Sequence, residues 1–316
     1  MIVNQDIDIA AGYIREGRLV AFPTETVYGL GANALNPLAV AKIFELKERP
    51  SFDPLIVHIA SVDDLDKLTV SKDSRVLQLA EKFWPGPLTI VLPKSDIVPD
   101  IVTSGLDTVG IRMPNNPIAL ELIRKSGCPI AAPSANKFGR VSPTTAQHVK
   151  KQLPNVDYIL DGGKTQVGIE STIITLNENG FEILRHGVIT REDLESVIPF
   201  RSGRDTSDSI VAPGMLKSHY SPNKPLYFLG DVHLNDMQRS NAGLLSFNAT
   251  DTEGYKMVFP LSTSGDLREY AVNLFAAIHK MEESDVEYIV AEPVEEHGIG
   301  LAIMDRLRKA AFRYRG

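Results

Sequence analysis

Cationic side chains stand at unusual places in this 316-residue chain, and their spacing favours anion binding. Lys47 and Arg49 lie on either side of one residue just before Pro50, where a predicted helix ends. Cations at that position could also be explained without a ligand, because they interact favourably with the helix dipole. His58 interrupts the apolar run LIVHI, in which it could equally be a hydrogen-bonded core residue, and Arg112 interrupts VGIRM. Because a buried guanidinium needs a partner, a bound carboxylate or phosphate is the expected ligand of Arg112.

Small and hydroxyl residues follow several predicted strands, although each such loop alone could be an ordinary turn. The segment AAPSAN at 131–136 would let backbone approach a ligand closely, and Ser142-Pro143 is expected to begin a helix whose free N–H groups bind anions. The candidates at such junctions or within apolar strands are Thr26, Lys47, Arg49, His58, Arg112, Ser134, Ser142, Ser171 and Arg185. Cations and hydroxyls without paired carboxylates or a Cys–His pair favour polyanion binding. Catalysis would then come from positioning and charge neutralisation, as in phosphoryl or nucleotidyl transfer.

Two glycine-rich segments resemble nucleotide motifs but fail on position. The GLGANA segment at 29–34 fits G-x-G-x-x-A, yet six residues separate it from the preceding strand and the next helix waits for Asn36. The GKT segment at 163–165 resembles the end of a P-loop, but the required earlier glycine would fall on Tyr158 within a predicted strand. Neither segment therefore predicts a nucleotide-binding loop.

The elements that must position these residues alternate between strands and helices. Capping residues predict helices over 7–17, from Asn36-Pro37, from Ser61, from Asn116-Pro117, from Ser142-Pro143 and from Thr190 to Ile198. Apolar runs predict strands at 19–22, 55–59, 88–92, 109–113, 129–132, 158–160, 171–176 and 181–185. The segment 23–33 is too rich in Gly, Pro and Thr for a regular element. The first 200 residues thus form one mixed α/β domain.

The chain is expected to divide into residues 1–200, a linker at 201–224 and a second domain at 225–316. The linker is polar and rich in Ser, Gly and Pro, as a tether or lid would be. The second domain alternates strand runs with an amphipathic helix at 266–283 and a final helix at 300–312, whose cations, Arg306 included, are expected toward its C-terminus. This alternation predicts a small, largely parallel, Rossmann-like sheet.

Composition excludes several classes of protein. A hydrophobic share of 43% is enough for ordinary cores, and no apolar run approaches the roughly 18 residues of a membrane span. The N-terminus does not resemble a signal peptide, and a single cysteine, Cys128, excludes an internal disulfide framework or a multi-cysteine zinc site. The net charge of −7 disfavours wholesale nucleic-acid coating but permits a local basic pocket. We expect a cytoplasmic protein with no membrane partner.

Six segments of the first domain together closely resemble the YrdC/Sua5 family: FPTETVYGLGANA, KERPSFDPLIVHI, FWPGPLTIVL, VGIRMP, PIAAPSANKFGRVSPTTA and DGGKTQVGIESTI. The linker PGMLKSHYSP and the second domain are similar to the longer Sua5 branch. The resemblance implies a nucleotidyltransferase, a threonylcarbamoyl-AMP synthase that converts L-threonine, bicarbonate and ATP, with Mg²⁺, to threonylcarbamoyl-AMP and pyrophosphate. A downstream transferase would pass the threonylcarbamoyl group to the adenosine beside the anticodon of tRNA. The resemblance also implies a twisted mixed sheet with a concave cavity, together with the smaller Rossmann-like domain.

The resemblance further implies roles at matching positions. The residues implied to bind threonine are Thr26, His58, Arg112, Ala132 and Ser171, with Arg112 on the carboxylate. Those implied to bind ATP are Lys47, Arg49, Asp53, Ser134, Asn136, Ser142 and Arg185. Lys47 and Arg49 would neutralise the departing pyrophosphate, and His58 is the one candidate base. Asp53 would repel phosphates unless Mg²⁺ or a cation compensates; no protein side chains are expected to form a metal site of their own.

Alternatives remain open for the linker and for the function. The linker could be an ordinary tether, or a lid that places His219 and Tyr220 over the cavity and excludes water from a labile adenylate. The rival function is binding of double-stranded RNA or tRNA without synthase activity, which predicts affinity that falls steeply with salt. A carbamoyl-processing domain of a larger maturation enzyme is a further rival, although it would normally bring zinc-finger cysteines.

Overall fold

Capping residues set several helix boundaries in the part of the chain that the structure, a computed structural model, describes: residues 2–201, 212–216, 219–231, 235–250 and 252–314. The helices are α1 (Ile7–Arg15), α2 (Pro37–Lys47), α3 (Leu65–Leu68), α4 (Ser74–Phe83), α5 (Asp100–Thr103), α6 (Pro117–Ser126), α7 (Ala146–Gln152), α8 (Arg191–Glu195), α9 (Asp236–Arg239), α10 (Leu267–Glu283) and α11 (Ile299–Ala311). Asn36 and Asn116 accept hydrogen bonds from the first-turn amides of α2 and α6, and proline follows each, as predicted.

Apolar runs form the predicted strands and assemble into two sheets. The strands are β1 (Ile2–Asn4), β2 (Val20–Phe22), β3 (Gly29–Asn33), β4 (Ile56–His58), β5 (Leu88–Pro93), β6 (Thr108–Arg112), β7 (Ile130–Ala131), β8 (Tyr158–Leu160), β9 (Thr172–Asn177), β10 (Gly180–Arg185), β11 (Leu226–Phe228), β12 (Ala242–Ser246), β13 (Met257–Pro260) and β14 (Tyr288–Ala291). The larger sheet has the order β1-β8-β2-β3-β7-β4-β6-β5-β9-β10 and mixes parallel with antiparallel pairs. The predicted mixed α/β class is confirmed.

Two local predictions are wrong. The segment expected to be irregular contains β3, which pairs with β2 and β7 in the sheet; its glycines allow this because a Cβ on Gly31 would lie 2.7 Å from Phe22 and 2.8 Å from Ile130. The helix expected from Ser142-Pro143 instead begins at Ala146, because the Thr145 side chain accepts the cap hydrogen bond. The seven-residue α7 therefore offers no helix N-terminus at Ser142.

The smaller sheet belongs to the second α/β unit and is parallel throughout the described strands, in the order β11-β14-β12-β13. Helices α10 and α11 cover it, burying Tyr270, Leu274 and Ile303. Alternating strands and helices produce such a sheet because parallel strands need helical crossovers. The predicted small Rossmann-like unit is confirmed. No helix of the described residues is both long and apolar enough to cross a membrane.

Apolar packing continues from one unit into the other. Val27, Val141 and Ile169 of the first unit belong to the same buried cluster as the apolar faces of α10 and α11. Gly168, with φ of +80°, lies against α10 so closely that a Cβ would be 2.5 Å from the carbonyl oxygen of Ala271. The loop leading to Ser171 is therefore pressed against the second unit.

The boundaries predicted at 200 and 224 remain predictions, and residues 202–211 lie outside the described ranges.

Gly168→Ala should lower the free energy of unfolding by about 2 kcal/mol or more, because the added methyl overlaps backbone and φ is positive. The matched control is Gly105→Ala, which has φ of +79° but no heavy atom within 4 Å of the added Cβ. Urea unfolding of both variants separates the contact with α10 from the backbone cost. Equal losses in the two variants would contradict close packing at Gly168.

Candidate active site

A cavity lies where the ends of β4, β6, β7 and β9 meet the segment that precedes the second unit. Sheet register brings its parts together, since His58 and Arg112 are direct partners in the parallel β4–β6 pair and Ile130 opposes His58 on the other side. The sequence-predicted residues that line the cavity are Thr26, Arg49, His58, Arg112, Ala132, Ser134, Ser171, Arg185, His219 and Tyr220. Four further predicted residues are not part of this lining: Lys47, Asp53, Asn136 and Ser142. The roles implied for all of them remain predictions.

Arg112 is buried, and each of its three guanidinium nitrogens lies close to a protein group. Its Nε donates to the Gly86 carbonyl at 3.3 Å and its Nη1 to Thr26 Oγ1 at 3.0 Å. Its Nη2 lies 2.7 Å from a carboxylate oxygen of Glu25, and both side chains are about 95% buried, at 5% and 4% exposure. A carboxylate of the protein thus already pairs with Arg112, whereas the sequence predicted a bound ligand as its partner. Sequence reasoning missed Glu25, although an acid between two threonines at the end of a buried strand was a visible signal.

His58 is neutral in this environment. Burial, followed by the nearby Arg112 charge, lowers the pKa of His58 to about 3. Its ring meets Phe22 edge-on with centroids 6.1 Å apart, and its buried Nδ1 has no hydrogen-bond partner among the described residues. The imidazole lines the cavity in its uncharged form, in which it is able to contact a ligand, and its role as a base remains a prediction.

Lys47 ends α2 with its ammonium directed inward. The Nζ donates to the Ser134 carbonyl at 2.6 Å and to the Asn136 carbonyl. Burial and the neighbouring Arg49 charge hold the pKa of Lys47 well below its ordinary value. In the described residues no carboxylate lies within ion-pair distance of Lys47, so an arriving anion would be its first full counter-charge.

Arg49 and Asp53 form a buried ion pair one turn beyond α2. Arg49 Nη2 lies 3.0 Å from Asp53 Oδ1, and the same guanidinium donates to the carbonyls of Asp53 and Pro54. Burial raises the pKa of Asp53, while Arg49 and Lys47 pull it down. Asp53 therefore compensates Arg49 from behind the cavity wall, and the repulsion expected between this carboxylate and phosphates is offset by that cation.

Arg185 connects Ser171 to the segment before the second unit. It donates through Nε to the Ser171 carbonyl at 3.1 Å, through Nη2 to Ser171 Oγ at 3.1 Å and through Nη1 to the Pro213 carbonyl at 3.2 Å. Ser171 Oγ also shares a hydrogen bond of 2.8 Å with Thr89. As with Lys47, no carboxylate of the described residues lies within ion-pair distance of Arg185.

The side chains of Asn136 and Ser142 form hydrogen bonds within the protein. Asn136 donates from its amide to the carbonyls of Lys137 and Arg140 and so fixes the loop that holds Lys47. Ser142 donates to Glu170 at 2.5 Å instead of capping a helix. The anion site expected at the Ser142 helix start is therefore absent from the described loop.

Glu170 and Arg306 form a further buried pair that joins the two units. Arg306 Nε lies 3.0 Å from Glu170 Oε2, and its Nη1 donates to the His186 carbonyl. Arg306 was predicted only to lie toward the C-terminal end of its helix, and the full burial of its side chain was not predicted. The signal was its position between Ile303 and Leu307 on the apolar face of α11. Burial favours a neutral Glu170, but Arg306 and Arg185 outweigh it and leave the pKa of Glu170 below its ordinary value.

The segment before the second unit closes the cavity. The Tyr220 ring stacks on Phe275 with centroids 5.3 Å apart and lies 5.3 Å from the Arg306 guanidinium carbon. The His219 ring meets Phe138 edge-on, and burial with the nearby Arg49 charge holds the pKa of His219 well below its ordinary value. The described residues 213, 214, 219 and 220 thus form part of the cavity wall, and the choice between a lid and a tether remains a prediction. Residues 202–211, 217 and 218 of the linker lie outside the described ranges.

The arrangement suits binding of anions by a small cationic cavity. Arg49, Arg112 and Arg185 line it, and Lys47 reaches the carbonyl of the lining residue Ser134. Each of Arg49 and Arg112 has its own carboxylate, whereas Lys47 and Arg185 have none among the residues that the structure describes. A mixed α/β enzyme with such a site fits group transfer on a phosphorylated substrate, in which positioned cations stabilise charge on the leaving group.

Comparison with known proteins agrees with this class. A family model described as "Telomere recombination", which covers the Sua5, YciO and YrdC proteins, matches residues 12–187. A second model, described as the C-terminal domain of threonylcarbamoyl-AMP synthase, matches residues 189–312. The chain belongs to the Sua5/YrdC family and carries the Sua5-type C-terminal domain.

Curated relatives match nearly the whole chain. Threonylcarbamoyl-AMP synthase of Pyrococcus abyssi is 46% identical, over 96% of this chain and 94% of its own length. The Bacillus subtilis protein of that name is 44% identical, over 96% and 92%. The crystal structure of P. abyssi Sua5 complexed with L-threonine superposes with a TM-score of 0.86 at 43% identity, covering 99% of this chain and 98% of the other. A P. abyssi Sua5 variant with a neighbouring histidine and tyrosine changed to alanine gives the same TM-score.

His58→Gln should make the stability less sensitive to acid. Because the pKa of His58 is about 3 when folded and near 6.5 when unfolded, the unfolded chain binds the extra proton between these values. Stability from this group is present above about pH 6.5 and is lost as the pH falls, by up to about 1.4 kcal/mol per pH unit. Urea unfolding at pH 6.5 and pH 5 measures the slope; His297→Gln, at an exposed position, is the control. A slope unchanged by His58→Gln would contradict a buried neutral imidazole.

Proposed function

We propose that this cavity joins L-threonine, bicarbonate and ATP to form threonylcarbamoyl-AMP and pyrophosphate. As a member of the family, the chain is a threonylcarbamoyl-AMP synthase, an enzyme of the nucleotidyltransferase type. The observation that carries the proposal is the unequal pairing of the buried cations. Arg49 and Arg112 already hold a carboxylate, whereas within the described part of the chain Lys47 and Arg185 hold only neutral acceptors. An amino acid and a triphosphate need two such environments.

Threonine is assigned to the half of the cavity around Arg112. The outer N–H groups of Arg112 would bind the substrate carboxylate, and Thr26, Ser171 and the backbone at Ala132 would contact the rest of the amino acid. A neutral His58 in the cavity wall suits a ligand whose amine must be uncharged in order to react. L-Threonine is the ligand named for the solved P. abyssi Sua5 structure, which supports this assignment.

ATP is assigned to the half of the cavity around Lys47, Arg49 and Arg185.

The reaction proceeds in two steps. The threonine amine attacks CO₂, or bicarbonate with loss of hydroxide, so that an N–C bond forms and gives a carbamate; the amine proton leaves to solvent or buffer. A carbamate oxygen then attacks the α-phosphorus in line, and the bond from that phosphorus to the pyrophosphate oxygen breaks. Lys47 and Arg185 would take up the charge that collects on pyrophosphate.

Mg²⁺ would accompany ATP, held by its phosphates and by water. In the described residues no group of three or more His, Cys, Asp or Glu side chains could hold a metal ion. Asp53, beside the predicted phosphate site, is already paired with Arg49. The described residues therefore offer no Mg²⁺ cage, and no step above is assigned to the metal.

The lid residues would have to move when ATP enters the cavity. Pro213, Gly214, His219 and Tyr220 form part of its wall, and the free space that they leave is small, at about 50 Å³. Departure of this lid would admit substrates, and its return would keep water from the mixed anhydride.

Transfer of the product to a threonylcarbamoyl transferase and then to tRNA completes the proposal. Binding of double-stranded RNA without synthesis remains the rival outcome.

The synthase reaction is tested by incubating the protein with ATP, L-threonine and ¹³C-bicarbonate and weighing the nucleotide product by mass spectrometry. We expect threonylcarbamoyl-AMP that carries one heavy carbon, together with pyrophosphate, and no product without bicarbonate or threonine. Arg112→Gln should raise the KM for threonine about tenfold to a hundredfold, as loss of a charged hydrogen bond does, with a smaller change for ATP. Salt-dependent RNA affinity with no adenylate would contradict the proposal.

His219→Ala should accelerate loss of the adenylate to water, because the missing ring opens the cavity beside Phe138. A tenfold faster hydrolysis would correspond to about 1.4 kcal/mol of lost protection. The measurement follows purified threonylcarbamoyl-AMP with excess enzyme, and His297→Ala at an exposed position is the control. An unchanged rate in a folded His219→Ala protein would refute the lid.

A further inference from the structure

The loop that carries Thr24, Glu25 and Thr26 faces the cavity with alternate side chains. Thr24 and Thr26 line it, whereas Glu25 does not, and Glu25 is 4% exposed. The loop is fixed from behind, since the Glu25 carbonyl accepts hydrogen bonds from the amides of Gln166 and Val167. Glu25 thus reaches Arg112 without itself lining the cavity.

The Glu25 carboxylate is a charge partner of Arg112 and of little else. Arg112 Nη2 lies 2.7 Å from Oε1, yet neither carboxylate oxygen accepts a well-aligned hydrogen bond from the described residues, and neither does Nη2 donate one. A buried carboxylate with no aligned donor is costly, so its retention here points to a function beyond packing. The pair therefore holds the guanidinium by charge and leaves N–H groups of Arg112 able to donate elsewhere.

The remaining guanidinium contacts define a three-sided clamp. The Gly86 carbonyl accepts a hydrogen bond from Nε, Thr26 Oγ1 accepts one from Nη1, and the Glu25 carboxylate attracts Nη2. These three contacts fix the plane and rotation of the guanidinium before any ligand binds. Two-pronged recognition of a carboxylate depends on that orientation. Groups held in a binding geometry lose less freedom when the ligand binds.

We propose that Glu25 is a positioning residue that holds Arg112 in the orientation required by the threonine carboxylate. The inference rests on the proposed function, because it takes Arg112 as the carboxylate ligand. Glu25 acts through Arg112 and does not touch substrate. It also offsets the charge of Arg112, so that the threonine half of the cavity carries less positive potential than the phosphate half around Lys47 and Arg185.

Two consequences follow for substitutions. Glu25→Gln keeps the size of the side chain but removes the charge that attracts Nη2, so threonine should bind about three- to tenfold more weakly. Arg112→Gln leaves the Glu25 carboxylate buried, unpaired and close to the substrate carboxylate. Part of the damage in Arg112→Gln is therefore repulsion, and adding Glu25→Gln should relieve it.

The experiment is a double-mutant cycle read by threonine binding, with isothermal titration calorimetry of the full-length protein in the presence of a non-hydrolysable ATP analogue. We expect the Glu25→Gln/Arg112→Gln protein to bind threonine at least as tightly as Arg112→Gln alone. Steady-state assays should show the KM for threonine raised in Glu25→Gln, with kcat and the KM for ATP within about twofold of the parent. Affinity losses that multiply in the double variant would overturn the proposal.

A matched carboxylate provides the control. Asp53 pairs with Arg49 in the same buried manner but on the phosphate side, so Asp53→Asn should raise the KM for ATP more than that for threonine. Equal effects of Glu25→Gln and Asp53→Asn on both substrates would show a general structural role and contradict positioning. If Glu25→Gln fails to fold, the double variant still decides, since it leaves no unpaired charge in this pair.

The two proposals fail in different ways. Absence of threonine binding and of adenylate in the unsubstituted protein refutes the proposed function itself. Normal synthesis and binding in the unsubstituted protein, with identical threonine affinity in Glu25→Gln, refutes only the role of Glu25.

Discussion

Pairing of buried arginines with carboxylates is the constraint on which the candidate site depends. A guanidinium removed from water needs a counter-charge, and the chain supplies one for each of three: Asp53 for Arg49, Glu25 for Arg112 and Glu170 for Arg306. Breaking such a pair costs more than it would at the surface, so these contacts fix loops as well as charges. The cations left without a carboxylate then stand out as the places where a substrate must supply the negative charge.

The second unit takes part in that scheme through Arg306. Its guanidinium reaches from α11 to Glu170, which lines the cavity, and lies against the Tyr220 ring. Gly168 allows the loop before Glu170 to lie against α10, and the apolar cluster runs without interruption from Ile169 into the second unit. The cavity, its lid and the second unit are therefore mechanically connected: a movement of the second unit relative to the first would disturb Glu170 and Tyr220 together.

Much of the fold could be predicted from the sequence because its signals were local. The Asn-Pro helix starts at 36 and 116 and the apolar strand runs give nearly the observed boundaries. Local signals could not predict strand β3, because its pairing with neighbouring strands of the sheet determines it. They could not predict the start of α7 either, because Ser142 and Thr145 are both possible caps and Thr145 is the one used. The same limit applies to the site. Cations interrupting apolar strands were visible one at a time, but Glu25 and Arg306 acquire meaning only through partners 87 and 136 residues away in sequence.

The division of the cavity into a carboxylate side and a phosphate side is tested most directly by a crystal structure with L-threonine and a non-hydrolysable ATP analogue bound together. We predict the threonine carboxylate within hydrogen-bond distance of Arg112, with Glu25 still on the opposite side of that guanidinium. The phosphates should lie against Lys47 and Arg185. Phosphate oxygens on Arg112, or a threonine carboxylate on Lys47 and Arg185, would contradict it.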